Sequence, residues 1–286
     1  MVTPSQAYEC VALGSALSHG ALLEPLAHPK PGAVTRVQGQ ADKGIFDFAL
    51  HHEAVERGAI RACVSAAEGS EDPIADGLEA YLDAVRGLGL RTNVGLGQAL
   101  LIVPLAAASP GRPGVRALCE RASELVRRST PRASAAYYRA LATLAPSHLG
   151  RYRGPLPDVS QGAPGVGLGE VLGLVDDLVS QEAVNGYRLT LRAYELMRGR
   201  LTEGIEEAIS GAFLWLASST PDSLLARSRG TRASLIAMAE ASLLGAEELD
   251  RPWRSRGWNL GSLLDIVAAA TSLISYELHV KLKGGN

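Results

Sequence analysis

Apolar residues recur at steps of three and four along nearly the whole chain, and this period constrains the fold more than any other feature. The clearest series lies near the C-terminus, at Leu260, Leu263, Leu264, Val267, Thr271, Ile274 and Leu278. Such spacing places side chains on one face of an α-helix. No two alternating segments are joined by an Asn-Gly or Asp-Gly turn, the signature of a β-hairpin. The sequence therefore predicts an all-α fold.

The same reasoning predicts a series of helices and two loop-rich segments. We expect helices over residues 5–26, 45–68, 73–86, 94–108, 115–128, 133–144, 168–197 and 221–244. A further helix follows Thr202, its expected cap, and Asn259 is the expected cap of the C-terminal helix. The segments 28–44 and 146–167 are rich in Gly and Pro. Helix-forming composition is alike on both sides of the second segment, so we predict one domain over residues 1–286.

Composition and charge narrow the functional classes. The chain has 28 basic and 30 acidic residues among 286, a net charge of −2 that does not favour nucleic-acid binding. Cys10, Cys63 and Cys119 are odd in number and far apart, which predicts no disulfide framework and favours a reducing cytoplasm. No stretch approaches the ~20 uninterrupted apolar residues of a membrane span. We expect a cytoplasmic protein without a membrane partner.

Lys30 lies within Pro29-Lys30-Pro31-Gly32, directly after the first predicted helix. The flanking prolines fix their own backbone φ and cannot continue a helix, so this lysine lies on a stiffened loop. Lysine binds phosphate as a compact point charge. The simpler interpretation is a helix stop with a solvated lysine, and spacing alone favours it.

Residues 92–97 read Thr-Asn-Val-Gly-Leu-Gly and begin a predicted helix. Thr92 or Asn93 could cap this helix, and the amides of its first turn could bind an anion. The two glycines would let a phosphate come close. They would equally let a neighbouring helix pack there, so both interpretations stay open.

Thr220-Pro221-Asp222 begins another predicted helix. We expect Thr220 to cap it, Pro221 to take the first helical position, and Asp222 to complement the helix dipole. Arg227 follows, with further arginines at 229 and 232, and this group could hold phosphates. A solvated arginine face is the alternative.

Asp265 shares a predicted helix face with Ala268, Ala269 and Ser272. These small neighbours let another helix approach, so the carboxylate is not expected to be freely solvated. A carboxylate held there needs an arginine, a helix N-terminus or a metal ion as its partner. Acidic residues 176 and 177, within the predicted helix 168–197, are further candidates. Acidic residues on several helices can build a Mg²⁺ site, and separate surface charges and caps are the simpler alternative.

The order of these motifs resembles the triphosphoribosyl-dephospho-CoA synthase family. Glu24 precedes Pro-Lys-Pro-Gly at 29–32, and Thr-Asn-Val-Gly-Leu-Gly follows at 92–97. Pro-Asp-Ser-Leu-Leu-Ala-Arg stands at 221–227 and Asn-x-Gly-x-x-x-Asp at 259–265. The resemblance spans about residues 5–280. Members known by function are all-helical accessory enzymes of citrate lyase and malonate decarboxylase.

The resemblance implies a reaction between ATP and 3′-dephospho-CoA, in which the acceptor's ribose 2′-hydroxyl attacks C1 of the ATP ribose and adenine leaves. A carboxylate would stabilise positive charge at that carbon, and the triphosphate would need Mg²⁺ and cationic donors. The phosphate ligands that it implies are Lys30, Arg36 and Arg227. Asp222 and Asp265 would coordinate Mg²⁺ or lie near the reacting sugar.

Two motifs depart from the family pattern. In known bacterial members, the residues after Pro-Lys-Pro are similar to Gly-Leu-Val-Asp, whereas this chain has Gly-Ala-Val-Thr at 32–35. At the second motif, these members have Asn-Thr-His-Lys-Gly, whereas this chain has Asn-Val-Gly-Leu-Gly at 93–97. Asn93, which the resemblance places in the nucleotide pocket with the amides that follow it, is present. The sequence is more similar to a divergent branch common in archaea.

These departures keep two alternative functions open. One is a Mg-nucleotide-dependent transferase that acts on another cofactor precursor. The other is a non-catalytic helical protein that binds a nucleotide or a protein partner. A homodimer is compatible with the sequence.

Overall fold

The computed structural model describes residues 2–90, 94–144 and 154–284. Within these residues the chain forms α-helices, one short 3-10 helix at Val159–Gln161 and no β-strand, so the predicted all-α class is confirmed. The helices are α1 (Pro4–Leu26), α2 (Ile45–Glu68), α3 (Pro73–Gly87), α4 (Leu96–Ala108), α5 (Val115–Arg127), α6 (Pro131–Leu144), α7 (Leu168–Gly173), α8 (Leu178–Val184), α9 (Arg188–Arg200), α10 (Ile205–Ser219), α11 (Ser223–Arg229), α12 (Thr231–Leu243), α13 (Ala246–Ser255) and α14 (Gly261–Gly284).

The first six predicted helices are confirmed to within a few residues of their ends, but the second half of the chain is more broken than expected. The single helix predicted over 168–197 is wrong, because α7, α8 and α9 occupy that stretch. The helix predicted over 221–244 is two helices, α11 and α12, and α13 has no counterpart in the sequence prediction. The caps expected at Thr202 and Asn259 are also wrong, since α10 begins after Gly204 and α14 begins at Gly261.

Local backbone chemistry accounts for the breaks. Asp177 has an extended backbone and caps α8, where its carboxylate accepts a hydrogen bond from the Ser180 amide at 3.1 Å. Tyr187 has a φ of 57° and stands directly before α9. Gly230 has a φ of 91° between α11 and α12. A residue with a positive φ cannot be part of a right-handed α-helix, so the regular helix is interrupted at each of these two positions.

The central helix is α4, in which every residue except Gly97 is buried. It packs against α2, α3, α5 and α14, while α1 packs against α2 and α14. The buried apolar residues of these helices form one continuous cluster. The organisation of residues 1–286 as one domain stays a prediction.

By length and composition, α14 is apolar enough to cross a membrane. Most of its apolar window, 61%, is nevertheless buried inside the protein. It packs against α1, α4, α9 and α10. That placement is the one a core helix has, and it gives the apolar stripe seen in the sequence a packing role.

The expected absence of disulfides is wrong, because Cys10 on α1 and Cys63 on α2 are bonded. The pairing follows from the antiparallel packing of the two helices, which also places Ser15 beside Glu56 and Ser18 beside His52. A separation of 53 residues conceals this contact in the sequence. The cysteine-based argument for a reducing compartment therefore loses its support.

Candidate functional site

A cavity of 910 Å³ opens between the end of α1, the start of α4, and helices α6, α8, α11 and α14. Four carboxylates line it: Glu24, Asp42, Asp177 and Asp265. Basic side chains also line it, namely Lys43, Arg227, Arg229 and Arg254. The volume is at the upper end of the range for small-molecule sites. Charged and apolar walls together suit a large ligand that carries phosphates.

Asp265 projects from α14 into the cavity wall and lies against Gly97 in the first turn of α4. It forms no hydrogen bond or ion pair with any residue in the described ranges. Burial raises its pKa well above the usual range, and the negative charges of Glu24 and Asp177 raise it further, whereas Lys43 acts in the opposite direction. An unpaired carboxylate in such surroundings favours a cationic partner.

The glycines at the start of α4 are explained by close helix packing. A Cβ on Gly97 would overlap the Asp265 carboxylate, and a Cβ on Gly95 would overlap the ring of His51 from α2. Of the two interpretations that the sequence left open, the approach of neighbouring helices is therefore what the structure shows. Asn93 lies outside the described residues, and its predicted place in the nucleotide pocket stays a prediction.

Asp177 holds Arg227 at the cavity wall. Its Oδ1 accepts hydrogen bonds from Arg227 Nη1 at 2.6 Å and from the Ser223 hydroxyl at 2.8 Å. Its Oδ2 accepts from the amide and the hydroxyl of Ser180, both at 3.1 Å. Burial would raise the pKa of Asp177, but Arg227 and the hydrogen bonds outweigh burial and lower it. Asp177 is therefore an ionised anchor for an arginine that faces the cavity.

Asp222 joins the start of α11 to the start of α14. Its Oδ1 accepts from the Leu225 amide at 2.7 Å, and its Oδ2 accepts from the Leu263 amide at 2.9 Å. It is the cap of α11, so the expectation that Thr220 caps this helix is wrong. Burial raises the pKa of Asp222 to about 6, against the effect of the two amides. The side chain is buried and does not line the cavity, so its catalytic and metal-binding roles stay predictions.

Lys30 is buried rather than solvated, so the simpler interpretation of the Pro-Lys-Pro-Gly motif is wrong. Its ammonium forms an ion pair with Glu24 and donates to the Val34 carbonyl at 3.3 Å. Burial raises the pKa of Glu24 and lowers that of Lys30, and their ion pair opposes both shifts. Glu24 lines the cavity whereas Lys30 does not. The phosphate-binding role of Lys30 stays a prediction.

Arg36 lies apart from this group. Its guanidinium is about half exposed, pairs with Glu206, and does not line the cavity. Glu206 also accepts a hydrogen bond from the His28 amide at 2.8 Å. The predicted contact of Arg36 with phosphate stays a prediction.

The loop that carries Lys30 is fixed against α13. Arg254 donates to the carbonyl oxygens of Ala33 at 2.6 Å and Gly39 at 3.0 Å. Gly32 has a φ of 73°, and a Cβ there would stand 2.6 Å from the Trp258 carbonyl oxygen. Only glycine permits this approach at that φ. The loop is therefore a structured wall of the cavity.

Sequence reasoning missed the roles of Asp177 and of the hydroxyl groups beside it. The Ser223 hydroxyl is 2.9 Å from that of Ser262 and also accepts from the Leu178 amide at 3.1 Å. These contacts join α8, α11 and α14. The available signal was the cap pattern Asp177-x-x-Ser180, which marks a helix start and argues against the long helix predicted there.

The donor groups fit Mg²⁺ that is bound together with phosphates. No three acidic, histidine or cysteine side chains converge as a metal site within the described part of the chain. Mg²⁺ is usually held by one or two carboxylates together with water and substrate phosphates. Both oxygens of Asp177 and of Asp222 already accept hydrogen bonds, whereas those of Asp265 accept none. Asp265 is therefore the carboxylate best suited to such a cation.

Comparison with known proteins bears on this site. The model of the ATP:dephospho-CoA triphosphoribosyl transferase family matches residues 10–284, which confirms the resemblance drawn from the motif order. A crystal structure from Archaeoglobus fulgidus, which carries the provisional name triphosphoribosyl-dephospho-CoA synthase, has a similar fold with a TM-score of 0.59. The two chains are 21% identical, and the match covers 77% of this chain and 96% of that one. No curated protein matches the sequence significantly.

Proposed function

The chain belongs to the ATP:dephospho-CoA triphosphoribosyl transferase family, and from this premise we propose which of its residues carry the transfer. The protein is a transferase whose substrates are ATP and dephospho-CoA. In the proposed reaction, the bond from C1 of the ATP ribose to adenine breaks while a bond to the acceptor's 2′-oxygen forms. The hydroxyl proton is balanced by the one that adenine gains on leaving.

Asp265 is the catalytic residue in this proposal. The observation that carries it is a partly buried carboxylate that faces the cavity without a hydrogen bond or ion pair to any described residue. Positive charge develops at the sugar carbon during such a displacement, and a carboxylate fixed nearby stabilises it. Glu24 and Asp177 already have partners, and Asp42 is exposed, so Asp265 is the carboxylate of the site with interaction capacity left for the transition state.

Arg227 binds phosphate in this proposal, held in place by Asp177. Only Nη1 of its guanidinium is used in that ion pair, which leaves further N–H donors for a phosphate. Lys43 and Arg229 also line the cavity and add positive charge. Lys30 contributes by holding Glu24 in place. Asp222 is a positioning residue that joins α11 to α14. These two helices carry Arg227 and Asp265.

Mg²⁺ would be held by Asp265 together with oxygens of the triphosphate. When bound, it neutralises the phosphate charge and lowers the repulsion between the substrate and the carboxylates of the site. Location in the cytoplasm and assembly as a homodimer stay predictions.

The test incubates the protein with ATP, Mg²⁺ and dephospho-CoA and measures the release of free adenine by chromatography. Release should require both substrates, and Asp265→Asn should lower its rate about 10²- to 10³-fold. The matched control is Asp83→Asn, because Asp83 is an exposed aspartate on α3, and this change should leave the rate unchanged. Full activity in Asp265→Asn would remove Asp265 from the mechanism.

A second result would redirect the assignment of the acceptor. If Mg-ATP raises the melting temperature but dephospho-CoA causes no adenine release, the nucleotide site is intact and another cofactor precursor is the acceptor. The altered motif at 93–97 is the feature that motivates this alternative.

A further inference from the structure

One wall of the cavity is apolar and follows a single helix face. Tyr137, Leu141 and Leu144 line the cavity at positions i, i+4 and i+7 of α6. Residues with this spacing form one stripe, and seven residues of helix rise about 10 Å. Val171 and Val175 also line the cavity. Together these residues form an elongated apolar trough, which we call the α6 trough.

The floor of the α6 trough is tied to the helix by Tyr138. Its hydroxyl donates to the Pro157 carbonyl at 3.1 Å, which holds the segment that includes the 3-10 helix against α6. Pro157 and Val159 of that segment also line the cavity. Residues of this segment therefore border the trough.

The trough and the charged groups line the same cavity. Burial raises the pKa of Tyr137, and the charge of Asp177 adds to this shift whereas that of Arg227 opposes it, so this ring lies within electrostatic range of both. Asp177 in turn lies within electrostatic range of Asp265. The cavity thus combines a carboxylate without a partner among the described residues, an arginine and an apolar stripe.

This combination of groups matches one of the two substrates. Dephospho-CoA carries, in sequence, the ribose that reacts, a diphosphate and a long uncharged pantetheine chain. ATP carries a reacting ribose and a triphosphate, with nothing beyond the last phosphate. We propose that the α6 trough binds the pantetheine chain of dephospho-CoA and so distinguishes the acceptor from ATP. The proposal rests on the transfer reaction proposed above.

The test fills the trough and measures binding of each substrate by calorimetry. Leu141→Trp adds bulk inside the trough, and Ala142→Trp, at the next and exposed position of α6, adds the same side chain outside it. Leu141→Trp should weaken dephospho-CoA binding about tenfold or more. The affinities for ATP and for ADP should stay within about twofold of those of the unmodified protein. ADP serves as a probe because it is dephospho-CoA without the pantetheine chain.

Val171→Phe fills the trough from the other wall and covers the case in which Leu141→Trp does not fold. It should reproduce the selective loss, whereas Ala142→Trp should not. Equal binding of dephospho-CoA to all variants would overturn the proposal. So would a loss of ATP affinity in place of dephospho-CoA affinity, because the trough would then hold the adenine of ATP.

Measuring binding instead of adenine release tests this inference independently of the proposed transfer reaction. If dephospho-CoA binds, and binds selectively worse in Leu141→Trp, but no adenine is ever released, the trough assignment stands and the transfer mechanism fails. If the unmodified protein does not bind dephospho-CoA, the trough assignment fails, whatever acceptor supports adenine release.

Discussion

Asp265 of α14 lies directly against Gly97 of α4, so that any side chain at residue 97 would overlap the carboxylate. The contact joins the two helices that bury the most apolar residues around the cavity, and it fixes the position of the carboxylate in the cavity wall. A glycine for which the sequence left both phosphate approach and helix packing open is thus explained by the position of an acidic side chain.

Gly97→Ala should displace the Asp265 carboxylate and lower the rate of adenine release at least about tenfold. Overpacking at such a contact lowers the free energy of unfolding by about 1–3 kcal/mol. The higher helix propensity of alanine offsets part of this loss. Gly87→Ala in α3, where a Cβ meets no atom within 4 Å, is the control. Adenine release and thermal unfolding of both variants would check this, and an unchanged rate in Gly97→Ala would contradict it.

Arg227→Ala should raise KM for a phosphate-bearing substrate about tenfold or more, since a charged hydrogen bond to phosphate is worth about 1.5–3 kcal/mol. It also leaves Asp177 without its guanidinium partner. Arg232→Ala is the matched control, because Arg232 is exposed on α12 and does not line the cavity. Steady-state kinetics in both substrates would show the difference, and equal KM values in the two variants would exclude Arg227 from phosphate binding.

Breaking the buried ion pair should cost far more stability than breaking an exposed one. Lys30→Met leaves Glu24 buried and unpaired, which costs about 3–5 kcal/mol. Arg57→Met breaks the exposed pair with Glu53 and should cost about 0–1 kcal/mol. Urea unfolding would measure both.

The double variant Glu24→Gln/Lys30→Met separates pairing from phosphate binding. It should be more stable than the sum of the single effects predicts, because neither buried charge remains. A loss of Mg-ATP affinity in Lys30→Met that Glu24→Gln does not share would show instead that the lysine contacts phosphate directly.

Asp222 should make stability depend on pH. The native carboxyl keeps its proton up to about pH 6, whereas the unfolded one loses it near 3.8, so the native state binds more protons between these values. Its contribution to stability therefore falls as pH rises, by about 3 kcal/mol between pH 3.5 and 7. Asp222→Asn cannot titrate, so its stability relative to the unmodified protein should rise over this range.

Urea unfolding at several pH values would measure this difference, with Asp83→Asn as the baseline for an exposed aspartate. Parallel pH profiles for Asp222→Asn and the unmodified protein would contradict the buried, bridging position of Asp222.

The sequence predicted those parts of the fold that depend on long apolar repeats. Helices α1 to α6 follow such repeats, and the structure confirms them. The breaks at Asp177 and Gly230 were not predictable from the repeats, because residues on both sides have the same helix-forming composition. The cap at Asp177 also depends on Ser223 and Arg227, which lie more than 40 residues away. Only tertiary packing brings these groups together.

The site was predictable only where local chemistry pointed to it. The small neighbours of Asp265 indicated that a helix comes close, and the structure places Gly20 of α1 against Ala268 and Ser272. Asp265 itself lies against α4. The burial of Lys30 was not predictable, because its partner Glu24 lies on the other side of a proline-rich turn. The α6 trough depends on how α6, α7 and α8 pack, a property that no single motif encodes.

The most direct test of the proposed transfer is the mass of the product. After incubation with ATP, Mg²⁺ and dephospho-CoA, mass spectrometry should find dephospho-CoA that has gained one triphosphoribosyl group, in a one-to-one ratio with free adenine. Adenine without this adduct would mean that water, not the acceptor, attacks the sugar, and would contradict the proposed transfer.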